Sequence, residues 1–139
     1  MAKTVREIMT PNPVTLPATS TVTEAAEAMK QHNVGDVLVM RDGTLCGIVT
    51  DRDIVVRGLA EHKNPEKAKL GDICSKDLVT AGVDQPIGAV IEQMRERALR
   101  RMPVVEGDRP VGIISLGDLA IDRDKSSALA DISAAAPSR

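Results

Sequence analysis

Two stretches of the chain place an apolar run, a hydroxyl and a carboxylate in the same order: Gly47-Ile48-Val49-Thr50-Asp51-Arg52-Asp53 and Gly112-Ile113-Ile114-Ser115-Leu116-Gly117-Asp118. In each, a Thr or Ser ends a strand-like run and an Asp follows three residues later, where the first turn of a helix would fall. A carboxylate there can accept hydrogen bonds from both vicinal hydroxyls of a ribose, while the Ser/Thr hydroxyl and the open amides of a helix start can meet a phosphate. That chemistry is nucleoside phosphate binding. The same Ser/Thr-x-x-Asp spacing is also a helix cap that satisfies orphan N–H groups and does nothing more. For a lone copy, capping is the default. Recurrence in both halves favours a ligand role, although duplication copies a cap as faithfully as a site.

Other reactive side chains are sparse. His32 ends a helical segment and His62 lies in a polar stretch, and neither has the Ser, Cys or carboxylate neighbours of a triad or a metal site. Catalysis is not expected. Cys46 and Cys74 sit among apolar neighbours without CxxC or Cys/His spacing, so they read as small core residues rather than a bridge, a metal site or a redox pair. Arg95 and Arg97 alternate with Glu92 and Glu96 as a solvated helix face would. Arg100 and Arg101 enter a strand and divide evenly between phosphate contact and plain surface.

The two motifs belong to a longer repeat. At a constant offset of 65 positions, Ile8 falls on Ile73, Val14-Thr15 on Val79-Thr80, Glu27 on Glu92, Met29 on Met94, Val39 on Val104, Gly47-Ile48 on Gly112-Ile113 and Asp53 on Asp118. With only two copies, a closed pair is expected rather than a solenoid.

Each copy reads as β-α-β-β-α. A short extended piece (Val14 to Leu16; Val79 to Ala81) precedes a helix whose apolar face is Val22, Ala25, Ala26 and Met29 in one copy and Ile87, Val90, Ile91 and Met94 in the other. Thr21 with Glu24 predicts a capping box, and Asp84 with Pro86 predicts a cap followed by an early helical proline. Two apolar runs then flank Arg41-Asp42-Gly43 and Glu106-Gly107-Asp108, the pattern of a β-hairpin. A second helix follows from Asp51 to about Leu59 and from Leu116 to about Asp122.

The repeats are assigned to 5–60 and 70–122, with a solvated linker at 61–69 and a frayed tail at 123–139. The class is α+β, mixed α/β. A single unit of this size buries a marginal core, so the two are expected to pack sheet against sheet about a pseudo-twofold axis.

Composition bounds the partners. The chain has 139 residues, 42% of them hydrophobic, with a formal charge of -2 and no Phe, Trp or Tyr. Extended binding to nucleic acid or to an anionic membrane has no electrostatic footprint. Without aromatics, a bound purine must lie between aliphatic side chains rather than on a stacking platform. No segment has the length and apolarity of a signal or a membrane span, so a cytoplasmic location is expected.

The landmarks Ile8-Met9-Thr10, the amphipathic helix ending Met29-Lys30-Gln31-His32, the Gly47 to Asp53 motif and Arg100-Arg101-Met102-Pro103-Val104-Val105 resemble the cystathionine-β-synthase (CBS) domain family, whose tandem pairs are known as Bateman modules. The resemblance spans about residues 5 to 122. It implies two clefts between paired sheets that bind AMP, ADP, ATP or another adenosyl ligand such as S-adenosylmethionine, as a regulatory ligand and not as a required cofactor. One cleft would use Val14, Val34 and Gly35 around the base, Ile113 beneath it, Asp118 on the ribose, and Ser115, Arg100 and Arg101 toward phosphate. The other would use Val79 and Leu99 for the base, Ile48 beneath it, Asp53 on the ribose and Thr50 nearby. Arg100 and Arg101 align with Gly35 and Asp36, so the second cleft lacks the arginine pair and is expected to bind weakly or stay empty. Leu38 stands where the other copy has Pro103.

The resemblance also implies a flat homodimer formed through helices. Since the chain carries no output domain, the implied role is a stand-alone regulatory module acting on a separate regulated protein or through its own dimer. The alternative is a stress-associated interaction scaffold whose clefts hold no nucleotide.

Overall fold

The computed structural model describes residues 3–74 and 78–123. The expected frayed tail lies outside the described residues from residue 124 onward. In chain order the elements are α1 (Val5–Ile8), β1 (Thr10–Pro11), β2 (Thr15–Pro17), α2 (Val22–His32), β3 (Asp36–Arg41), β4 (Thr44–Thr50), α3 (Asp51–Asp53) running into a π-helical segment (Ile54–Leu59), α4 (Leu70–Ile73), β5 (Ala81–Gly82), α5 (Ile87–Arg97), β6 (Arg101–Glu106), β7 (Arg109–Ser115) and α6 (Leu116–Arg123). Both copies therefore carry the β-α-β-β-α order, as an α+β chain.

Contacts divide the chain into two compact units that do not coincide with the sequence repeats. Among the described residues, a continuous unit runs from Pro13 to Leu78, and a split unit takes those up to Asn12 together with those from Val79 to Arg123. The continuous unit holds the sheet β2-β3-β4, and the split unit holds β1-β7-β6-β5. In each, a parallel pair (β2 with β3, β5 with β6) is bridged by the long helix, and an antiparallel hairpin follows. A crossover helix is what a parallel pair of consecutive strands requires.

Helix spacing fixes what is buried. In the continuous unit, Val22, Ala25 and Met29 of α2 meet Val37, Val39 and Val49 of the sheet and Leu70 and Ile73 of α4. In the split unit, Ile87, Val90 and Met94 of α5 meet Met102, Val104 and Ile114, with Val5 of α1 and Leu119 of α6. Each fully buried Val, Leu or Ile contributes about 1.5–3 kcal/mol, and these side chains, joined by methionines and Cys74, build both cores without an aromatic ring. Ala26, assigned to the apolar face from its spacing, is exposed, because the stripe follows Val22, Ala25 and Met29.

Local signals account for most element boundaries. The capping box at α2 is present in both directions: Glu24 N–H donates to Thr21 Oγ1 at 3.2 Å and Thr21 N–H to Glu24 Oε1 at 3.2 Å. At α5 the expected arrangement differs. Pro86 is itself the cap residue, with no side-chain cap, and Asp84 lies upstream of it. In its place the Ile87 N–H donates to the Lys3 carbonyl at 2.9 Å, so the chain before α1 supplies the acceptor. The hairpin loops also differ. Asp42 and Gly43 both have positive φ (51° and 78°), the signature of a type I′ turn, whereas in Gly107-Asp108 only Gly107 does (64°), as in type II′.

The segment 61–69, expected to be a solvated linker, folds back on the start of α2. Val22 N–H donates to the Ala68 carbonyl at 3.0 Å and Thr23 N–H to the Pro65 carbonyl at 2.9 Å. The first amides of a helix lack intrahelical acceptors, and the linker carbonyls provide them.

Candidate functional site

In each unit the hydroxyl and carboxylate of the motif sit where the last strand of the hairpin turns into a helix. In the continuous unit the Asp51 N–H donates to the Gly35 carbonyl at 3.0 Å, and Asp36 pairs with Thr50 across the sheet. In the split unit the Leu116 N–H donates to the Arg100 carbonyl at 3.0 Å, and Arg101 pairs with Ser115. The strand entrance and the helix entrance are thereby fixed side by side at one end of each sheet.

Thr50 and Asp53 form a reciprocal cap. Thr50 N–H donates to Asp53 Oδ2 at 2.9 Å, and Asp53 N–H donates to Thr50 Oγ1 at 3.1 Å. The second carboxylate oxygen, Oδ1, faces the half-exposed Arg57 at Nε, 3.9 Å away, a long contact of small energetic weight. Ser115 and Asp118 repeat the cap: Ser115 N–H and Oγ–H donate to Asp118 Oδ2 at 2.9 Å and 3.0 Å, and Asp118 N–H donates to Ser115 Oγ at 3.2 Å. Here Oδ1 accepts the Thr10 hydroxyl at 2.9 Å. In both copies one carboxylate oxygen is held by the cap and the other is presented to a partner that is not part of it. Cap and contact are two oxygens of one side chain.

The remaining sequence-assigned residues fall as follows. In the continuous unit, Val14 gives its carbonyl to Leu38 N–H at 2.9 Å, Val34 is exposed at 37%, Gly35 is half-buried, and Ile48 pairs with Leu38. In the split unit, Val79 and Leu99 pack partly buried against the core, Ile113 is buried and pairs with Pro103, Arg100 is exposed and Arg101 half-buried. The structure thus brings Val14, Gly35, Ile48, Thr50 and Asp53 to one unit, and Val79, Leu99, Arg100, Arg101, Ile113, Ser115 and Asp118 to the other. Thr10 was missed as a partner of Asp118. Its place in the landmark Ile8-Met9-Thr10 was the available signal, but nothing in the sequence tied it to a residue 108 positions away.

A recess of about 170 Å³ opens beside Asp118, lined by Glu7, Ile8, Ile121 and Asp122. Lys3 pairs with Asp122 at its rim. The Arg95–Glu92 pair, at 2.8 Å with both side chains more than half exposed, is the solvated ion pair its spacing implied. Cys74 is buried and Cys46 half-buried, and both are thiols. Among the described residues no three His, Cys, Asp or Glu side chains gather in a way that would hold a metal ion, and no helix is long and apolar enough to cross a membrane.

Two β-α-β-β-α copies, each ending its hairpin in a capped hydroxyl-carboxylate turn, define a tandem-repeat module. The family model of the CBS domain matches residues 5–59 and 70–121, and the chain belongs to that family. It is similar to the CBS domain-containing protein YhcV of Bacillus subtilis, at 35% identity over 133 residues covering 93% of this chain and 94% of that protein. Hypoxic response protein 1 of Mycobacterium tuberculosis is 33% identical over 118 residues, covering 84% and 82%. A crystal structure of that response protein with two coordinated zinc ions aligns at a TM-score of 0.77, covering 85% of this chain and 97% of that one. The CBS domain pair of protein MJ0100, solved in complex with methylthioadenosine and S-adenosyl-L-methionine, is 26% identical and aligns at a TM-score of 0.80, covering 91% and 100%. Pairs of CBS domains are regulatory modules.

Proposed function

We propose that the chain is a nucleotide-responsive regulatory module that binds an adenine nucleotide or a related adenosyl ligand through its hydroxyl-carboxylate turns. The observation that carries this is the division of labour in Asp118: Oδ2 accepts from Ser115, while Oδ1 already accepts an exchangeable hydroxyl, that of Thr10. A ribose hydroxyl is the same kind of donor. The adenosyl ligands bound by the similar MJ0100 pair support the ligand class. Asp118 is favoured over Asp53 as the stronger contact, because Arg100 and Arg101 stand in its unit, whereas the continuous unit has Gly35 and Asp36 at the matching positions.

Binding to the folded state alone at a concentration about 100-fold above Kd adds roughly 2.7 kcal/mol of stability. A thermal screen with AMP, ADP, ATP and S-adenosylmethionine is therefore the direct test, and Asp118→Asn should keep the melting temperature of the apo protein within a few degrees while weakening binding about tenfold or more. A melting curve that none of the four ligands moves at millimolar concentration would favour the scaffold alternative, for which the completeness of both caps is the supporting observation. With no aromatic residues, the protein itself is nearly transparent near the purine band, so a purine absorbance in desalted protein reports bound nucleotide directly.

The same proposal pairs two copies through their helices and passes the signal to a regulated protein. Val55, Val56 and Leu59, exposed at 56%, 42% and 54% on the helix behind Asp53, support such a surface. Sedimentation of a monomer at micromolar concentration would exclude the dimer.

A further inference from the structure

The opposite end of each sheet, away from the hydroxyl-carboxylate turn, is built differently in the two units. In the split unit it is closed by Arg6 of α1. The Arg6 guanidinium donates to Glu106 at the end of β6 at 2.7 Å and lies 3.9 Å from Asp84. The backbone frame is the same in the continuous unit: Arg6 N–H donates to the Val83 carbonyl at 3.0 Å, and its counterpart Gly71 N–H donates to the Ala18 carbonyl at 3.0 Å. The side chains are not the same. Gly71 replaces Arg6, Thr19 replaces Asp84, and Arg41 replaces Glu106.

Beside Gly71 lies a recess of about 470 Å³, walled by Pro17, Ala18 and Met40 and bordered by Arg41 and Lys69. The Arg41 side chain extends over Gly71, for a Cβ on that glycine would lie 2.5 Å from Arg41 Nη2. Among the described residues the Arg41 side chain makes no hydrogen bond and no ion pair.

We propose that this recess binds a small organic carboxylate, with Arg41 as its anchor. A guanidinium is a rigid fork of donors that matches a carboxylate two bonds at a time. In the split unit this frame already holds a guanidinium–carboxylate pair, and both partners come from the chain. In the continuous unit the guanidinium comes from the strand end and nothing answers it, so the carboxylate is supplied by the ligand. Pro17, Ala18 and Met40 suit a short aliphatic skeleton behind the charge. Asp42 and Asp72, on the border of the recess, repel a polyanion, which sets this site apart from one for nucleoside di- and triphosphates.

The test is a titration of isotope-labelled protein with succinate, followed by amide resonances, with sodium chloride at matched ionic strength as the control. Saturable shifts are expected at Ala18, Gly71 and Asp72, with Kd on the order of a millimolar, the range open to an exposed ion pair in a shallow site. Arg41→Gln should weaken binding about tenfold or more. The double variant Arg41→Glu with Gly71→Arg, which rebuilds the pair of the split unit, should abolish binding while keeping the melting temperature. The proposal is overturned if no saturable shift appears by about 50 mM succinate, if the shifts persist in Arg41→Gln or in the double variant, or if inorganic phosphate moves the same amides as strongly. None of these outcomes depends on nucleotide binding at Asp118, since Arg41 and Gly71 belong to the continuous unit and Asp118 to the split one.

Discussion

Asn33 and Ala98 occupy the same place in the two copies, the residue that ends the long helix. Both adopt the left-handed conformation, at φ 54° and 53°. Asn tolerates that region because its short polar side chain bonds locally, whereas Ala has no such compensation and is strained there. The backbone follows the same path in both units while the side chains that suit it differ. The same contrast recurs at the far end of the sheet, where Arg6 and Glu106 form a pair in one unit and Gly71 and Arg41 leave a recess in the other. Hydrogen-bond register and buried aliphatic positions carry the shared frame, and the differences collect at turns, caps and sheet ends. Those are positions where a side chain can change without disturbing the buried aliphatic contacts of either core.

The largest expected effect tests the frame itself. A Cβ added at Gly112 would lie 2.6 Å from Met9 Sδ and 2.8 Å from the Thr10 carbonyl oxygen, so backbone as well as side chain must move. Gly112→Ala should displace β1 from β7 and cost about 1–3 kcal/mol by denaturant unfolding. At Gly71 the nearest obstacle is the flexible end of Arg41, followed by Ala18 Cβ at 3.2 Å. Gly71→Ala is expected to stay within about 0.5 kcal/mol of the parent. Equal losses in the two variants would remove the distinction between a glycine packed against backbone and one covered by the end of a flexible side chain.

A smaller effect of opposite sign is expected at the helix ends. Ala98→Gly relieves left-handed strain and should stabilise the protein by roughly 0.5–1 kcal/mol, while Asn33→Ala should destabilise it by a similar amount. Thermal unfolding of both variants settles the pair, and a loss of stability in Ala98→Gly would contradict it.

The smallest effect is electrostatic. The hydrogen bond and charge of Arg6, with a lesser part from Arg109, lower the pKa of Glu106 below the usual carboxylate value. A carboxylate lowered in the folded state contributes its stabilisation fully above the unfolded-state pKa and loses it as pH falls through the folded-state pKa. Both side chains are exposed, so the contribution is modest. Replacing Glu106 by Gln should flatten the acid limb of stability against pH, whereas Arg41→Gln, at the matching position of the other copy, should leave that limb unchanged. Identical acid limbs for Glu106→Gln and the parent would show that the pair does not couple to folding.

Much of the fold was legible because its causes are local. The period of Val22, Ala25 and Met29 announces α2, the Thr21 and Glu24 pair announces its start, and Asp42-Gly43 announces a turn that needs two residues at positive φ. The short helices α1 and α4 were not legible as elements, since four residues show no period and are helical only because Val5 and Leu70 drop into cores assembled from distant strands. The capping of α2 by carbonyls at Pro65 and Ala68 was hidden for the same reason. In the motif, the spacing of Ser115 and Asp118 displayed the cap and the carboxylate together, yet could not say which oxygen served which purpose.

By itself the sequence determined the duplication, the β-α-β-β-α order, the aliphatic character of both cores and the placement of a hydroxyl and a carboxylate at each helix entrance, because each depends on residue type at short spacing. Only the tertiary structure decided that α1 completes the split unit and α4 the continuous one, that Thr10 reaches Asp118, and that Arg41 lies over a bare glycine beside an open recess. Those facts depend on which distant segments share a sheet or a core, and the free energy that selects them is spread over many buried contacts rather than written in any one stretch of chain.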